Sequence, residues 1–74
     1  MQVILYKSQT CPQCKVAKMK LEQAGIPFEE VLDMEIMQER GIKGIPTLEV
    51  DGVRITKITE INKWIKEQAG TING

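Results

Sequence analysis

The tightest constraint on the fold is a succession of three patterns within about thirty residues, the length of a strand, a crossover helix and a second, parallel strand. "VILY" (Val3 to Tyr6) is a short β-favouring run ended by polar residues, as expected of a central strand covered on both faces. From Pro12 to Ala24, Cys14, Ala17, Leu21 and Ala24 recur at steps of three and four, which draws one inward stripe along a helix and leaves Lys15, Lys18 and Glu22 off it. Gly25 stops that helix, Ile26 is placed to pack back on its last turn, and Pro27 prevents continuation. "PFEEVLD" then reads as the second strand. Strands joined through a helix pair in parallel by a right-handed crossover, so these two are neighbours.

Farther on, Asp33 is placed as the N-cap of a short helix that runs through Arg40 and closes at Gly41, with Ile36 and Met37 facing inward. "PTLEV" and "VRIT" flank Asp51-Gly52, a dipeptide suited to the two positive-φ positions of a type I′ turn, which predicts an antiparallel hairpin. Ile61, Trp64, Ile65 and Gln68 mark a last helix, capped near Thr59 and ended by Gly70. Residues 1–70 thus form one domain, with 71–74 as a frayed tail. Seventy-four residues leave no room for a second domain, and no repeat or linker interrupts the chain. Tyr6, Phe28 and Trp64 are the only aromatics, so the core is aliphatic, and Met19, Met34 and Met37 read as adaptable core filling.

The order β-α-β-α-β-β-α gives a four-stranded mixed sheet with helices packed on it. Both cysteines lie in "SQTCPQCKV", at the junction of the first strand and the first helix. Order and placement together describe an α/β, thioredoxin-like fold.

Charge removes some functions. Ten basic residues balance ten acidic ones, so no global field draws the chain to nucleic acid or to an anionic membrane. "MQVILYKSQT" has too short an apolar run for a membrane span, with neither the basic start nor the cleavage site of a signal peptide. A reducing cytoplasm is the expected location, and there a cysteine pair is more often catalytic or metal-binding than a permanent staple.

Three roles are open to the pair. As a staple it would close a four-residue loop, constrain the unfolded chain little and be reduced in a cytoplasm. As half of a zinc or iron-sulfur site it would need further ligands, and with no histidine and no other cysteine a second chain or external thiols would have to supply them. As a dithiol it needs a thiolate, which a helix start provides. If the helix begins at Pro12, Cys11 is its N-cap, where unpaired N–H groups and the helix dipole favour a sulfur anion. Cysteines so placed can have a pKa of roughly 3.5 to 7.5 instead of about 8.5. Pro12 suits the first helical position because its missing N–H would have had no partner there. Cys14 lies on the inward stripe, which makes Cys11 the exposed attacker and Cys14 the shielded resolver of a reversible disulfide. Gln13 shapes the surface beside the nucleophile.

"LYKSQTCPQC", "GIPFEEVLD" and "GIKGIPTLEVDG" together resemble the small glutaredoxins, and more closely the glutaredoxin-like NrdH-redoxins that donate electrons to ribonucleotide reductase; the likeness spans about residues 2 to 69. CPxC is typical of glutaredoxins, and the CxQC ending is similar to the NrdH type. The resemblance implies a monomeric dithiol-disulfide oxidoreductase that reduces protein disulfides, ribonucleotide reductase among them. It implies no permanently bound cofactor, and electrons drawn from a thioredoxin-reductase-type flavoenzyme or from glutathione. It also implies a cis Ile45-Pro46 bond facing the dithiol, with the Ile45 backbone free to pair with substrate; Pro12, Gln13 and Thr59 complete the substrate-contacting set.

Departures from the family pattern weigh against glutathione. Thr56 and Lys57 stand where many glutaredoxins have a Gly-Gly pair, although Thr59 still offers backbone N–H groups at a helix start. The basic residue often found three positions before the first cysteine is replaced by Ser8, and Lys7, one position earlier, is open to two roles, a contribution to thiolate stabilisation or a solvated lysine, of which the second is favoured. Lys15 and Lys18 read as exposed beside the site, and Trp64 as a core or groove-lining aromatic.

Overall fold

The computed structural model describes the backbone of residues 1–73 and the side chains of residues 1–69. The elements are β1 (Val3–Tyr6), α1 (Pro12–Gln23), β2 (Glu29–Val31), α2 (Met34–Glu39), β3 (Thr47–Val50), β4 (Val53–Ile55) and α3 (Ile58–Asn73), in the predicted order. The sheet order is β2-β1-β3-β4. β1 pairs in parallel with β2 (Leu5 opposite Glu30) and antiparallel with β3 (Tyr6 opposite Thr47), and β3 pairs antiparallel with β4.

Alternation along β1 sorts its side chains to two layers. Val3 and Leu5 join Ala17, Leu21, Leu48, Ile61 and Ile65 in the larger core, while Ile4 and Tyr6 meet Met37 in a smaller cluster on the other face. All four residues of β1 are buried, which explains why the run is continuously apolar. Tyr6 keeps its ring in this layer because its hydroxyl has a partner, the Arg40 guanidinium donating to it at 3.0 Å. Each aliphatic side chain fully buried here contributes roughly 1.5–3 kcal/mol.

The end of α1 follows from its sequence. Gly25 has φ +70°, its N–H donates to the Glu22 carbonyl at 3.1 Å and the Ile26 N–H to the Leu21 carbonyl at 3.1 Å, which closes the last turn in a Schellman arrangement with Ile26 buried behind it. The hairpin is also as predicted, with φ +49° at Asp51 and +87° at Gly52.

Four expectations need correction. Lys7 is buried rather than solvated, because it follows Val3 and Leu5 on the same face of the strand line. Met19 and Met34 are 53% and 73% exposed, and only Met37 fills core. Thr59 does not cap α3: the first helical bond runs from the Ile61 N–H to the Lys57 carbonyl at 2.9 Å, so Lys57 holds the cap position and Thr59 the second helical one. Finally, Gly70 lies within α3, which runs to Asn73. Glycine inside a helix costs about 1 kcal/mol but does not compel a stop.

Candidate active site

Three chain segments reach one end of the sheet. β1 points its C-terminal end there and leads through residues 8–10 into α1; antiparallel β3 begins there; and β4 ends there before α3 starts. The register that sets Tyr6 opposite Thr47 places Pro46 level with the chain that leads to Cys11.

Cys11 is the N-cap of α1, with extended φ −89° and ψ 112°, and Pro12 follows as the first helical residue. The Cys14 N–H donates to Cys11 Sγ at 3.1 Å, and the Lys15 N–H donates to the Cys11 carbonyl at 3.2 Å. A sulfur that accepts a backbone N–H at a helix start is held where negative charge is stabilised. Cys14, one turn into the helix, is fully buried beside Ala17 and Leu21, whereas Cys11 is half-buried. The two are joined as a disulfide with their Cα atoms 5.2 Å apart. Pro12 and Gln13 are exposed on the surface between them.

In the loop that leads into β3, the Ile45-Pro46 peptide bond is cis. Ile45 is 39% exposed and Pro46 buried, and the loop before them is tied down by the Thr47 hydroxyl, which donates to the Gly44 carbonyl at 2.6 Å. Thr59 is exposed in the first turn of α3, where backbone N–H groups have no partner within the helix.

Two features of the site had no part in the sequence reading. A groove of about 330 Å³ opens beside Ile45, with Leu32, Met34, Met37 and Ile42 contributing apolar surface and Lys43 standing among the lining residues. The sequence hint was that Leu32 and Met34 flank Asp33 without falling on a core stripe. The second feature is an ionic cluster. Glu30 of β2 places one carboxylate oxygen 3.5 Å from Lys7 Nζ and the other 3.0 Å from Lys18 Nζ. The hydrogen bond from Lys18 is the main reason that the Glu30 carboxyl is held below its ordinary range, and it raises Lys18 in turn. Strand alternation could have revealed the cluster, since Leu5, opposite Glu30, faces α1 and Lys7 is two residues on.

Among the described residues, no group of three or more histidine, cysteine, aspartate or glutamate side chains is gathered as a metal ion would require. No helix among them is long and apolar enough to cross a membrane.

The family model described as Glutaredoxin matches residues 3–55. No curated protein matches the chain. Among solved structures, the glutathione S-transferase from Ascaris lumbricoides superposes with a TM-score of 0.77 at 25% identity, over 95% of this chain and 37% of that one. Glutathione transferase Omega 3C from Trametes versicolor gives 0.71 at 19% identity, over 90% and 33%. A mutant of a thioredoxin-like protein gives 0.69 at 19% identity, over 88% of this chain and 99% of that one. The chain therefore spans about a third of the transferases' length, and the likenesses at 19% identity speak to the fold alone.

Proposed function

Because this chain belongs to the glutaredoxin family, whose model covers residues 3–55 of its 74, we propose that Cys11 and Cys14 are the working dithiol of a small electron donor that reduces disulfides in other proteins. The observation that carries this reading is the asymmetry of the pair: Cys11 Sγ at a helix start accepting the Cys14 N–H, and Cys14 fully buried behind it. The Cys11 thiolate attacks one sulfur of the substrate disulfide, forming a mixed disulfide and expelling the other sulfur as a thiolate. Cys14 then gives up its proton and attacks Cys11 Sγ, which releases the second substrate thiol and leaves the Cys11–Cys14 disulfide. Two electrons and two protons from an external reductant restore the dithiol.

Substrate lies over Ile45 and Pro46, with Pro12 and Gln13 shaping the approach to Cys11. A protein substrate is supported by the groove beside Ile45, whose apolar lining accepts a side chain flanking the attacked cysteine. The NrdH-like CPQC ending makes ribonucleotide reductase the first substrate to try, and a reducing compartment such as the cytoplasm suits the chemistry. A thioredoxin-reductase-type flavoenzyme is the electron source in this reading. Glutathione is the second reading, favoured by the fold shared with a glutathione S-transferase and opposed by Thr56 and Lys57 at the positions of the family's paired glycines.

Oxidised protein offered NADPH with such a flavoenzyme, or NADPH with glutathione and glutathione reductase, separates the two. Rapid recycling in the first system and slow recycling in the second is the expected result. Recycling by glutathione alone would overturn the assignment of the reductant, and no reduction of any protein disulfide after either recycling would overturn the function.

A further inference from the structure

The loop after α2 is the wall between two cavities, since Ile42, Lys43 and Gly44 line both the groove beside Ile45 and a second cleft of about 420 Å³. The second cleft lies on the sheet face that Tyr6 shares with Thr47 and that continues through Glu49 to Arg54 of β4. Its size is that of a small-molecule site, for which roughly 300–1,000 Å³ is usual. Its lining differs from that of the apolar groove: Lys43 and Arg54 bring two positive charges, and no acidic residue is among those that line it. Arg54 is held in place from one side. Its Nε donates to Glu49 Oε1 at 3.1 Å, and its Nη1 lies 3.7 Å from where a side chain on Gly41 would begin. Glu49 thus fixes the guanidinium through Nε and leaves the two Nη groups without a hydrogen-bond partner among the described residues. Lys43 has no ion pair among those residues, and the Thr56 hydroxyl no hydrogen bond. The Thr47 hydroxyl gives its proton to the Gly44 carbonyl at 2.6 Å, so it braces the wall and offers no donor.

We propose that this cleft binds a phosphate group, free or as the monoester of a small molecule. The outer edge of a guanidinium presents two parallel N–H donors that match two oxygens of an oxyanion, and Lys43 adds a point charge on a flexible stem. With the Thr56 hydroxyl, three separate unspent donor groups line one cleft. A carboxylate has only two oxygens to meet them, whereas a phosphate monoester has three terminal ones. Counting Glu49, the charged side chains leave one net positive charge, so binding is weak and falls in the millimolar range. Glu49 has a double part: it orients Arg54 and competes with the ligand for it. The cleft contains neither cysteine, so the proposal is independent of the dithiol reading.

The test follows the backbone amide resonances of Gly41, Gly44 and Thr56 in oxidised full-length protein titrated at pH 7 with inorganic phosphate, glycerol 3-phosphate or acetate. Sodium chloride holds the ionic strength constant throughout, because screening alone shifts resonances near exposed charges. Phosphate and glycerol 3-phosphate should each give saturable shifts at these three positions, and acetate should bind about tenfold more weakly or not at all. Tighter binding of glycerol 3-phosphate identifies a monoester site, and equal binding a site for free phosphate. Arg54→Gln should weaken phosphate binding about tenfold, Lys43→Gln about threefold, and Glu49→Gln should strengthen it about threefold by removing the competing charge. If Arg54→Gln does not fold, the opposite effects of Lys43→Gln and Glu49→Gln decide the matter. Shifts that do not saturate, an equal response to acetate, or phosphate binding that none of the variants alters would overturn the proposal.

Discussion

Replacing Cys11 by serine and by alanine should remove the same chemistry at two different costs in stability. The thiol does two jobs: it is the nucleophile, and its sulfur caps α1 by accepting the Cys14 N–H at 3.1 Å. Pro12 has no N–H and the Lys15 N–H is already bonded to the Cys11 carbonyl, so the sulfur serves one of the few donors left in that first turn. Serine is among the best N-cap residues and keeps an acceptor at this place, whereas alanine leaves the donor without one, at a cost of about 1 kcal/mol. For a domain of this size that difference is about 4–8 °C in Tm. Both variants are melted under reducing conditions beside reduced wild type, and both are assayed for reduction of a protein disulfide. Neither should turn over, and the alanine variant should melt several degrees below the serine variant. Identical melting temperatures would refute the capping role, and turnover in either variant would refute the nucleophile.

The Glu30 cluster should make stability depend on pH in a definite sense. Its carboxyl lies below the ordinary value of about 4.5 in the folded chain, so its contribution is present above that value and is lost as pH falls through the depressed one. Lys18 is raised above 10.5, so its contribution holds below that value and is lost at higher pH. Urea melts across this range should show wild type above Glu30→Gln at neutral pH, with the two curves converging in acid; a constant gap would contradict the pairing. Asp33 Oδ1 accepts the N–H groups of Glu35 at 2.8 Å and Ile36 at 3.4 Å, and so caps the six-residue α2. Asp33→Ala should cost about 1 kcal/mol in denaturant melts. It should also raise KM for a protein disulfide while leaving kcat/KM for a small aliphatic disulfide unchanged, because Met34 and Met37 line the groove.

The parts of the fold that were legible are those in which local pattern and tertiary packing agree. β1 read as central because burial on both faces demands an unbroken apolar run, and the stripe through Cys14, Ala17 and Leu21 is the face that α1 buries. The same stripe distinguished the two cysteines before any geometry was known, and the resemblance supplied the cis bond at Ile45-Pro46. The burial of Lys7 runs against its residue type but follows its position: a lysine two residues past Leu5 points where Leu5 points, and burial is tolerable once a carboxylate from the next strand meets it. Thr59 was misplaced by one turn-forming preference, since Ile58, packed against the core, draws the helix start two residues earlier than threonine's own capping tendency suggests. The groove was harder to see, because Leu32 and Met34, on either side of Asp33, meet Ile45 of the loop before β3 only in the folded chain.

The division of labour between the cysteines is tested most directly by trapping. Reduced Cys14→Ser protein mixed with a disulfide-bonded protein substrate, quenched with acid and digested, should yield a single mixed disulfide at Cys11, stable because no second thiol is present to resolve it. Reduced Cys11→Ser protein under the same conditions should yield none. An adduct on Cys14 in the second protein, or free substrate thiol released in a second step from the first, would contradict the assignment of attacker and resolver.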